Sequence, residues 1–203
     1  GKVETIGASA FYGCIKLSDT NLNKTTLASI GNYAFYNCYK LDIDTIANSV
    51  TFLGQQAFGN CTALTRVFMG TGVTILETGV FQGCTALREV VFYGNITEIR
   101  LSAFSGCSAL EMITIPGTVT AIGQSAFENC VKLPSVNIPS SVLSLGQAAF
   151  RNCTSLTAAV IGSGVVTVGN YAFFGCSALT NLTIGSSVQT IGYDAFSRCA
   201  ALA

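Results

Sequence analysis

One phenylalanine recurs through the whole sequence at a nearly fixed interval. It occupies Phe11, Phe35, Phe58, Phe81, Phe104, Phe127, Phe150, Phe173 and Phe196, so the first step is 24 residues and every later step is 23. A cysteine follows three residues after each phenylalanine, and a leucine follows three residues after each cysteine. Such an interval is typical of a solenoid, in which each unit is too small to bury an apolar face alone and buries it against its neighbours.

Two parts of each repeat have extended character. The segment L-x-x-V-x-I, as in Leu133–Ile138, alternates with period two, which predicts a short strand that stacks on its neighbours as one parallel sheet. The segment V-x-x-I-G, as in Val119–Gly123, predicts a short extended crossing to the far side of the coil. Because Glu77 and Arg100 replace the glycine in two neighbouring repeats, we expect the glycine to serve close packing, and these two side chains to pair.

The third part of each repeat contains the phenylalanine and the cysteine. Its Ala-Phe step, followed by residues that stop a helix, predicts a single helical or 3₁₀ turn. The residue before the cysteine is glycine or asparagine in all repeats except the last, where it is Arg198. Only glycine and asparagine readily adopt the left-handed conformation, so we expect a left-handed residue at this position.

The complete unit, L-x-x-[IV]-x-[IL]-P-x-x-V-x-x-I-G-x-x-A-F-x-x-C-x-x-L, resembles the BspA-like, Treponema-type leucine-rich repeat, over essentially the whole chain. The resemblance implies an α/β repeat solenoid: a right-handed superhelix with a parallel sheet on its concave face and short helical or 3₁₀ turns on its convex side. It also implies a cell-surface or secreted protein. The sequence departs from the pattern at Asp44, where an inward apolar residue is expected, at Val80 in place of alanine, and at an extra residue between Asn23 and Leu27.

We expect residues 1–203 to form a single leucine-rich-repeat solenoid of nine repeats of about 23 residues. We also expect the chain to be a fragment of a longer protein, because it begins just before an Ile-Gly step and stops at Leu202 before another strand. Exposed apolar columns on the terminal coils would then favour end-to-end self-association.

Composition excludes several functions. Histidine is absent, which removes Ser-His and Cys-His nucleophile pairs, imidazole bases and histidine-liganded zinc. Ten basic and ten acidic residues cancel, so no general field attracts nucleic acid or an anionic membrane. No apolar run reaches the ~18 residues that span a bilayer, so no membrane insertion by this segment is expected. Glu89 and Glu111 lie on or beside neighbouring strands, a spacing compatible with a glycosidase-like pair of carboxylates, but with Arg88 and Arg66 beside them we interpret them as a solvated charge cluster. The sequence predicts no enzyme, cofactor or metal.

The nine cysteines are predicted to be buried free thiols that act as small apolar residues. Equivalent side chains in stacked coils point in parallel, which does not produce the torsion of a disulfide. A single column also offers too few converging ligands for a thiolate metal site. Serine in place of Cys107 is expected to bury a hydroxyl without an evident partner.

The outward strand positions carry the functional prediction. Phe68, Val91 and Met112, with Tyr93 at a strand end, form an apolar island among small polar residues. We predict a ligand-binding site there, made by Arg66, Phe68, Arg88, Glu89, Val91, Tyr93 and Met112. The resemblance and this surface together favour a non-enzymatic binding or adhesion module that recognises an extracellular protein or glycan. The alternative is a structural spacer or stalk that presents another domain.

Overall fold

The computed structural model describes residues 3–20, 22 and 24–203. Coils are numbered one to nine by their phenylalanines, Phe11 to Phe196, and each coil includes the L-x-x-V-x-I segment that follows its phenylalanine. In the described ranges, sixteen short strands occupy the two extended parts of the repeat. In chain order they are β1 (Thr5–Ile6), β2 (Ser29–Ile30), β3 (Thr45–Ile46), β4 (Phe52–Leu53), β5 (Arg66–Met69), β6 (Ile75–Leu76), β7 (Glu89–Phe92), β8 (Glu98–Ile99), β9 (Met112–Ile113), β10 (Ala121–Ile122), β11 (Ser135–Ile138), β12 (Ser144–Leu145), β13 (Ala158–Ile161), β14 (Thr167–Val168), β15 (Asn181–Ile184) and β16 (Thr190–Ile191).

The chain is a parallel β-solenoid, and the strands pair between coils in the predicted register. The L-x-x-V-x-I strands form the sheets β3-β5-β7-β9 and β11-β13-β15, whereas the V-x-x-I-G strands form β1-β2-β4 and β6-β8-β10-β12-β14-β16. Arg66 lies opposite Glu89, which in turn lies opposite Met112. The prediction of one continuous sheet is wrong, because β9 and β11, both fully described, do not pair.

The third part of each coil is a row of β-turns. In coil six the backbone amides of Ser125, Phe127 and Asn129 donate to carbonyls of coil seven at 2.7 to 2.8 Å. The amides of Ala126 and Glu128, between them, donate to the carbonyl three residues back. A 3₁₀ helix requires consecutive right-handed residues with every amide bonded in this second way. No helix occurs in the part of the chain that the structure describes, so the predicted helical or 3₁₀ convex side is wrong.

Two positions in each coil have left-handed backbone. The residue before the cysteine has positive φ in every coil, including Arg198 at 61°, which confirms the prediction. The second position, two residues before each phenylalanine, is not predicted by the sequence. It comprises Ser9, Tyr33, Gln56, Gly79, Ser102, Ser125, Ala148, Tyr171 and Asp194, with φ between 49° and 61°.

The core is a column of stacked rings with a column of thiols beside it. The phenylalanine rings of successive coils have centroids 5.0 to 5.7 Å apart and nearly parallel planes. All cysteines in the described ranges are free, and all but Cys14 are buried. Each buried thiol donates to the phenylalanine carbonyl of the preceding coil, as Cys107 Sγ does to the Phe81 oxygen at 3.1 Å.

The glycine of the V-x-x-I-G segment serves close packing, as predicted. A Cβ atom at Gly123 would lie 2.7 Å from the Arg100 carbonyl carbon, and its φ is not positive. In coil four this position is Glu77, and β4 and β6 do not pair beside it. Arg100 donates to the Glu77 carboxylate at 2.7 Å, which confirms the predicted pair. No helix within the described residues is long and apolar enough to cross a bilayer.

Candidate functional site

The predicted site residues lie on and beside β5, β7 and β9, and most of them are in mutual contact. Arg66 Nε lies 2.6 Å from Glu89 Oε2. The Arg66 guanidinium also lies over the Phe68 ring, 5.6 Å from its centroid. The ion pair with Glu89 and the cation–π contact with Phe68 together hold the Arg66 guanidinium in place on this surface.

Two aromatic rings from neighbouring coils form the centre of the predicted island. Phe68 and Tyr93 are stacked, with centroids 6.2 Å apart and planes 20° apart. Phe68 is half-buried, whereas 63% of Tyr93 is exposed. A large exposed ring held against a second ring is pre-oriented, so little conformational entropy remains to be lost when it contacts a ligand.

An open depression of about 1120 Å³ covers the strand face of coils one to five. Five predicted site residues line it, namely Arg66, Phe68, Arg88, Glu89 and Met112. Val91 and Tyr93 lie outside its lining. Coils one and two complete the surface with Asp19, Thr20, Leu22, Asp42, Ile43, Asp44 and Thr45.

The depression is acidic although the chain as a whole has no net charge. Its lining has five carboxylates (Asp19, Asp42, Asp44, Glu89 and Glu111) and two guanidinium groups (Arg66 and Arg88). Asp42 is held in place by hydrogen bonds from the Thr65 amide at 3.1 Å and the Thr65 hydroxyl at 3.2 Å. The Glu111 carboxylate lies 3.7 Å from Nζ of Lys132, a residue that does not line the depression. A positively charged ligand is therefore the electrostatic complement of this surface.

Asp44 reaches the depression because its side chain is exposed, although β3 keeps the regular 23-residue register with β5. The expected inward apolar position is taken one residue earlier by Ile43, which is buried, while the Asp44 side chain is exposed. The Asp44 carbonyl still accepts a hydrogen bond from the Phe68 amide at 2.7 Å, so the backbone keeps its place beside β5. Asn23, near the extra residue of this part of the sequence, lies outside the described residues.

The interruption between β9 and β11, here called the seam, has a chemical cause. At the position before each L-x-x-V-x-I strand, Glu111 donates to the Arg88 carbonyl and Thr157 donates to the Pro134 carbonyl. Pro134 has no N–H to donate to Glu111. Pro139 occupies the position equivalent to Gly70 of coil three, whose amide donates to the Ile46 carbonyl. A second donor is therefore also missing at the seam. The chain's only other proline is Pro116, in the coil on the opposite side of the seam.

A cleft of about 600 Å³ opens at the seam. It is lined by Glu89, Val90, Val91, Phe92, Gly94, Glu111, Met112, Ile113, Thr114, Pro116, Pro134 and Ser135. Phe92 and Ile113 occupy inward strand positions but are only half-buried, whereas the equivalent Val67 and Met69 of coil three are fully buried. Glu89, Glu111 and Met112 line both the cleft and the depression, so the two are continuous.

Sequence reasoning missed the acidic residues of coils one and two, and it missed the seam. The three prolines were a visible signal for the seam, since all of them stand at amide positions that the strand ladder uses, Pro116 and Pro139 being equivalent to Gly70. Among the described residues, no three cysteine or acidic side chains converge as metal ligands.

The family model for the BspA type leucine rich repeat region matches residues 1–111 and 80–203, in six copies. The chain belongs to the BspA-type leucine-rich repeat family. A comparison with curated protein sequences finds no match.

Several solved structures are similar to this solenoid. A leucine-rich repeat protein of T. pallidum is 25% identical, with a TM-score of 0.72 over 100% of this chain and 79% of that protein. A leucine-rich repeat protein of Bacteroides ovatus is 26% identical, with a TM-score of 0.68 over 98% of this chain and 69% of its own. The pneumococcal vaccine antigen PcpA has the same fold at 19% identity, with a TM-score of 0.54 over 95% of this chain and 55% of its own.

Proposed function

We propose that the chain is a non-enzymatic binding or adhesion module that holds an extracellular protein or glycan on the strand face of coils three to five. The observation that carries this proposal is the exposed Tyr93 ring stacked on Phe68 at 6.2 Å. Aromatic side chains held in place beside charged groups are the usual anchors of a binding surface. The family, whose fold serves as a protein-binding scaffold, supports the proposal.

The proposal places the protein at the cell surface or in secreted form, as the family resemblance implies. It assigns Arg66, Arg88 and Glu89 to a polar rim around the aromatic pair. Val91 and Met112 extend the apolar contact towards the seam. Rim charges set the specificity and the association rate of a complex more than its affinity, so the aromatic pair supplies most of the binding energy.

The experiment is a binding screen of the 203-residue chain against extracellular-matrix proteins and a glycan array, followed by three variants. Phe68→Ala and Tyr93→Ala should each weaken a captured ligand by about 1 kcal/mol or more, which is about fivefold. Thr183→Ala is the matched control, since Thr183 lies on the outward side of β15, far from the island. Circular dichroism of each variant checks that the fold is intact.

The alternative function, a spacer that holds another domain, predicts a different result. Beyond the seam the strand face carries small side chains, among them Ser135, Ala158 and Asn181, and none of these offers a strong anchor. A spacer would bind nothing in the screen. Equal losses from all three variants would also count against the proposed site, because Thr183 takes no part in it.

End-to-end self-association is a further proposal that concerns the C-terminal end of the array. Ile184 of coil eight is 42% exposed and Ile191 is 50% exposed, and within the described residues neither β15 nor β16 has a strand on its outer side. Association should bury these side chains. We expect light scattering to show a mass that rises with protein concentration, and Ile191→Lys to return the protein to a monomer. A constant monomer mass at high concentration would contradict this proposal.

A further inference from the structure

We infer that the cleft at the seam takes one apolar side chain of a protein ligand, and that basic residues next to that side chain lie over the acidic depression. This inference rests on the proposed binding function and narrows it from any extracellular protein or glycan to an extended polypeptide segment with both features.

The cleft exists because the sheet cannot close. A parallel ladder needs an amide at each alternate position, and Pro134 and Pro139 remove the two that flank β11. The turn rows of the same two coils remain bonded, as shown by the Gly106 amide donating to the Glu128 carbonyl at 2.8 Å. The coils are therefore held together on one side and separated on the other.

The separation exposes residues that belong to the core. Phe92 and Ile113 are half-buried at positions where coil three fully buries Val67 and Met69, and Met112 beside them is 54% exposed. An apolar side chain that enters the cleft would remove this apolar surface from water.

Backbone groups at the seam favour a polypeptide over a hydrocarbon or a sugar. In coils seven and eight the Asn181 amide donates to the Thr157 carbonyl at 3.0 Å. The equivalent bond across the seam, from the Ser135 amide to the Glu111 carbonyl, is not formed between residues 110–116 and residues 133–139. The Asn137 amide and the Ile113 carbonyl likewise have no ladder partner across the seam. Amides and carbonyls beside an apolar cleft are complementary to the backbone of an extended segment.

Charge selects the residues next to the apolar anchor. The cleft opens into the depression at Glu89, Glu111 and Met112, and the depression has five carboxylates against two guanidinium groups. The exposed face of Tyr93 can also receive a cation, whereas the Phe68 ring already has the Arg66 guanidinium over it. Lysine or arginine side chains therefore fit the depression better than acidic ones.

The test uses four labelled nine-residue peptides whose central residue is leucine or alanine and whose flanks are lysine or glutamate, with serine elsewhere. Binding to the whole chain is measured by fluorescence anisotropy in low salt. The Lys-flanked leucine peptide should bind at least tenfold more tightly than each of the other three. Equal binding of the Lys-flanked alanine peptide would overturn the role of the cleft. Equal binding of the Glu-flanked leucine peptide, or no binding by any peptide, would overturn the inference as well.

Two variants connect the binding to the seam. Pro134→Thr places at the seam the residue that coils seven and eight have at this position, Thr157 and Thr180, and restores the missing amide. It should weaken the Lys-flanked leucine peptide about tenfold without lowering the melting temperature. Met112→Ala, at an exposed position, should weaken the same peptide while the fold stays intact. Thr180→Ser, in the same column but remote from the cleft, is the control and should change nothing.

The inference and the proposed function can fail separately. A ligand from the screen that is weakened by Phe68→Ala and Tyr93→Ala but not by Pro134→Thr would leave the proposed function standing and overturn the role of the seam. Loss of the peptide with Pro134→Thr, combined with no effect of Phe68→Ala on any ligand, would support the seam and contradict the aromatic site.

Discussion

On the turn side every coil repeats the same contacts, whereas on the strand face neighbouring coils differ. The turn side has a phenylalanine stack, thiol-to-carbonyl hydrogen bonds and two left-handed residues in each coil. The strand face carries the unequal side chains of the depression, and its sheet is interrupted at the seam. Redundant contacts on one side therefore maintain the stack while the other side varies, which is where a repeat protein can acquire a binding surface.

Alkaline pH should produce the largest effect and should act through the turn side alone. Burial raises the pKa of the Cys61, Cys84 and Cys107 thiols above the ordinary value of 9.0, and the pKa values of Cys38, Cys130, Cys153, Cys176 and Cys199 are also raised. Because the unfolded chain loses these protons first, stability is fully present below about pH 9 and is lost as pH rises towards the native pKa values. The deeply buried thiols, such as Cys84 and Cys107, should each contribute a loss of about 1.4 kcal/mol per pH unit.

Urea unfolding at pH 8 and pH 10, under reductant, measures this loss. Cys107→Val should reduce the slope by the share of one thiol. Equal stability at the two pH values would mean that the thiols are accessible to solvent in the folded chain.

Removing an aromatic ring should lower the unfolding free energy by several kcal/mol more on the turn side than on the strand face. Phe104 is fully buried between Phe81 and Phe127, at centroid distances of 5.6 and 5.2 Å, so Phe104→Ala should lower the unfolding free energy by about 3 to 5 kcal/mol. Phe68→Ala, on the strand face, should cost about 1 kcal/mol or less. Chemical denaturation of both variants measures the difference. Equal losses would show that the strand face stabilises the fold as much as the stack does.

Serine in place of Cys107 should cost only about 1 kcal/mol. The sequence predicted a buried hydroxyl without an evident partner, at a cost of about 1 to 3 kcal/mol. The structure corrects this expectation, because the Phe81 carbonyl lies 3.1 Å from Cys107 Sγ and can accept a hydrogen bond from the hydroxyl. Cys107→Ala, which has no donor, is the comparison. A serine variant much less stable than the alanine variant in urea would contradict the hydrogen bond.

The smallest expected effect tests the left-handed residues. Ala148 has φ of 55°, a conformation that costs a non-glycine residue about 1 to 2 kcal/mol, so Ala148→Gly should raise the unfolding free energy by roughly 0.5 to 1 kcal/mol. Gly106→Ala is the mirror control, since φ there is 75° and the added Cβ has no contact shorter than 3.6 Å. Thermal melts should move in opposite directions for the two variants. A fall in melting temperature for Ala148→Gly would contradict the strain at this position.

The sequence predicted those features of the fold that one coil encodes by itself. The spacing of Phe127, Cys130 and Leu133 fixes one buried edge, and Asn129 before the cysteine predicts its left-handed backbone. The left-handed residue at Ser125 was missed because serine has no such preference. Its conformation is imposed by the bond from its amide to the Gln147 carbonyl in the next coil. The same inter-coil bonds replace the helical turn that local propensity favoured.

The candidate site was predictable only where the pattern of inward and outward side chains was regular. The neighbours Arg66 and Glu89, and the pair Phe68 and Tyr93, follow from the 23-residue step. The acidic contribution of Asp44 was not predicted, because Asp44 stands where the other repeats have an inward apolar residue, and the pattern does not show that Ile43 is buried in its place. The cleft depends on a hydrogen bond that Pro134 cannot make, and a pattern of apolar side chains does not report backbone donors.

The spacing of the inter-coil hydrogen bonds has a consequence for how such a gene can change in length. Because these bonds join equivalent positions of adjacent coils, loss of one 23-residue unit by recombination would rejoin equivalent partners. Removing residues 112–134 would bring Phe104 beside Phe150, join Glu111 to Ser135, and delete Pro134, leaving Pro139 in the place of Pro116, where β7 and β9 pair. Such a shortened chain should still melt cooperatively, with an uninterrupted sheet. The number of repeats thus sets the length of the array, and the position of the prolines independently sets where its sheet opens.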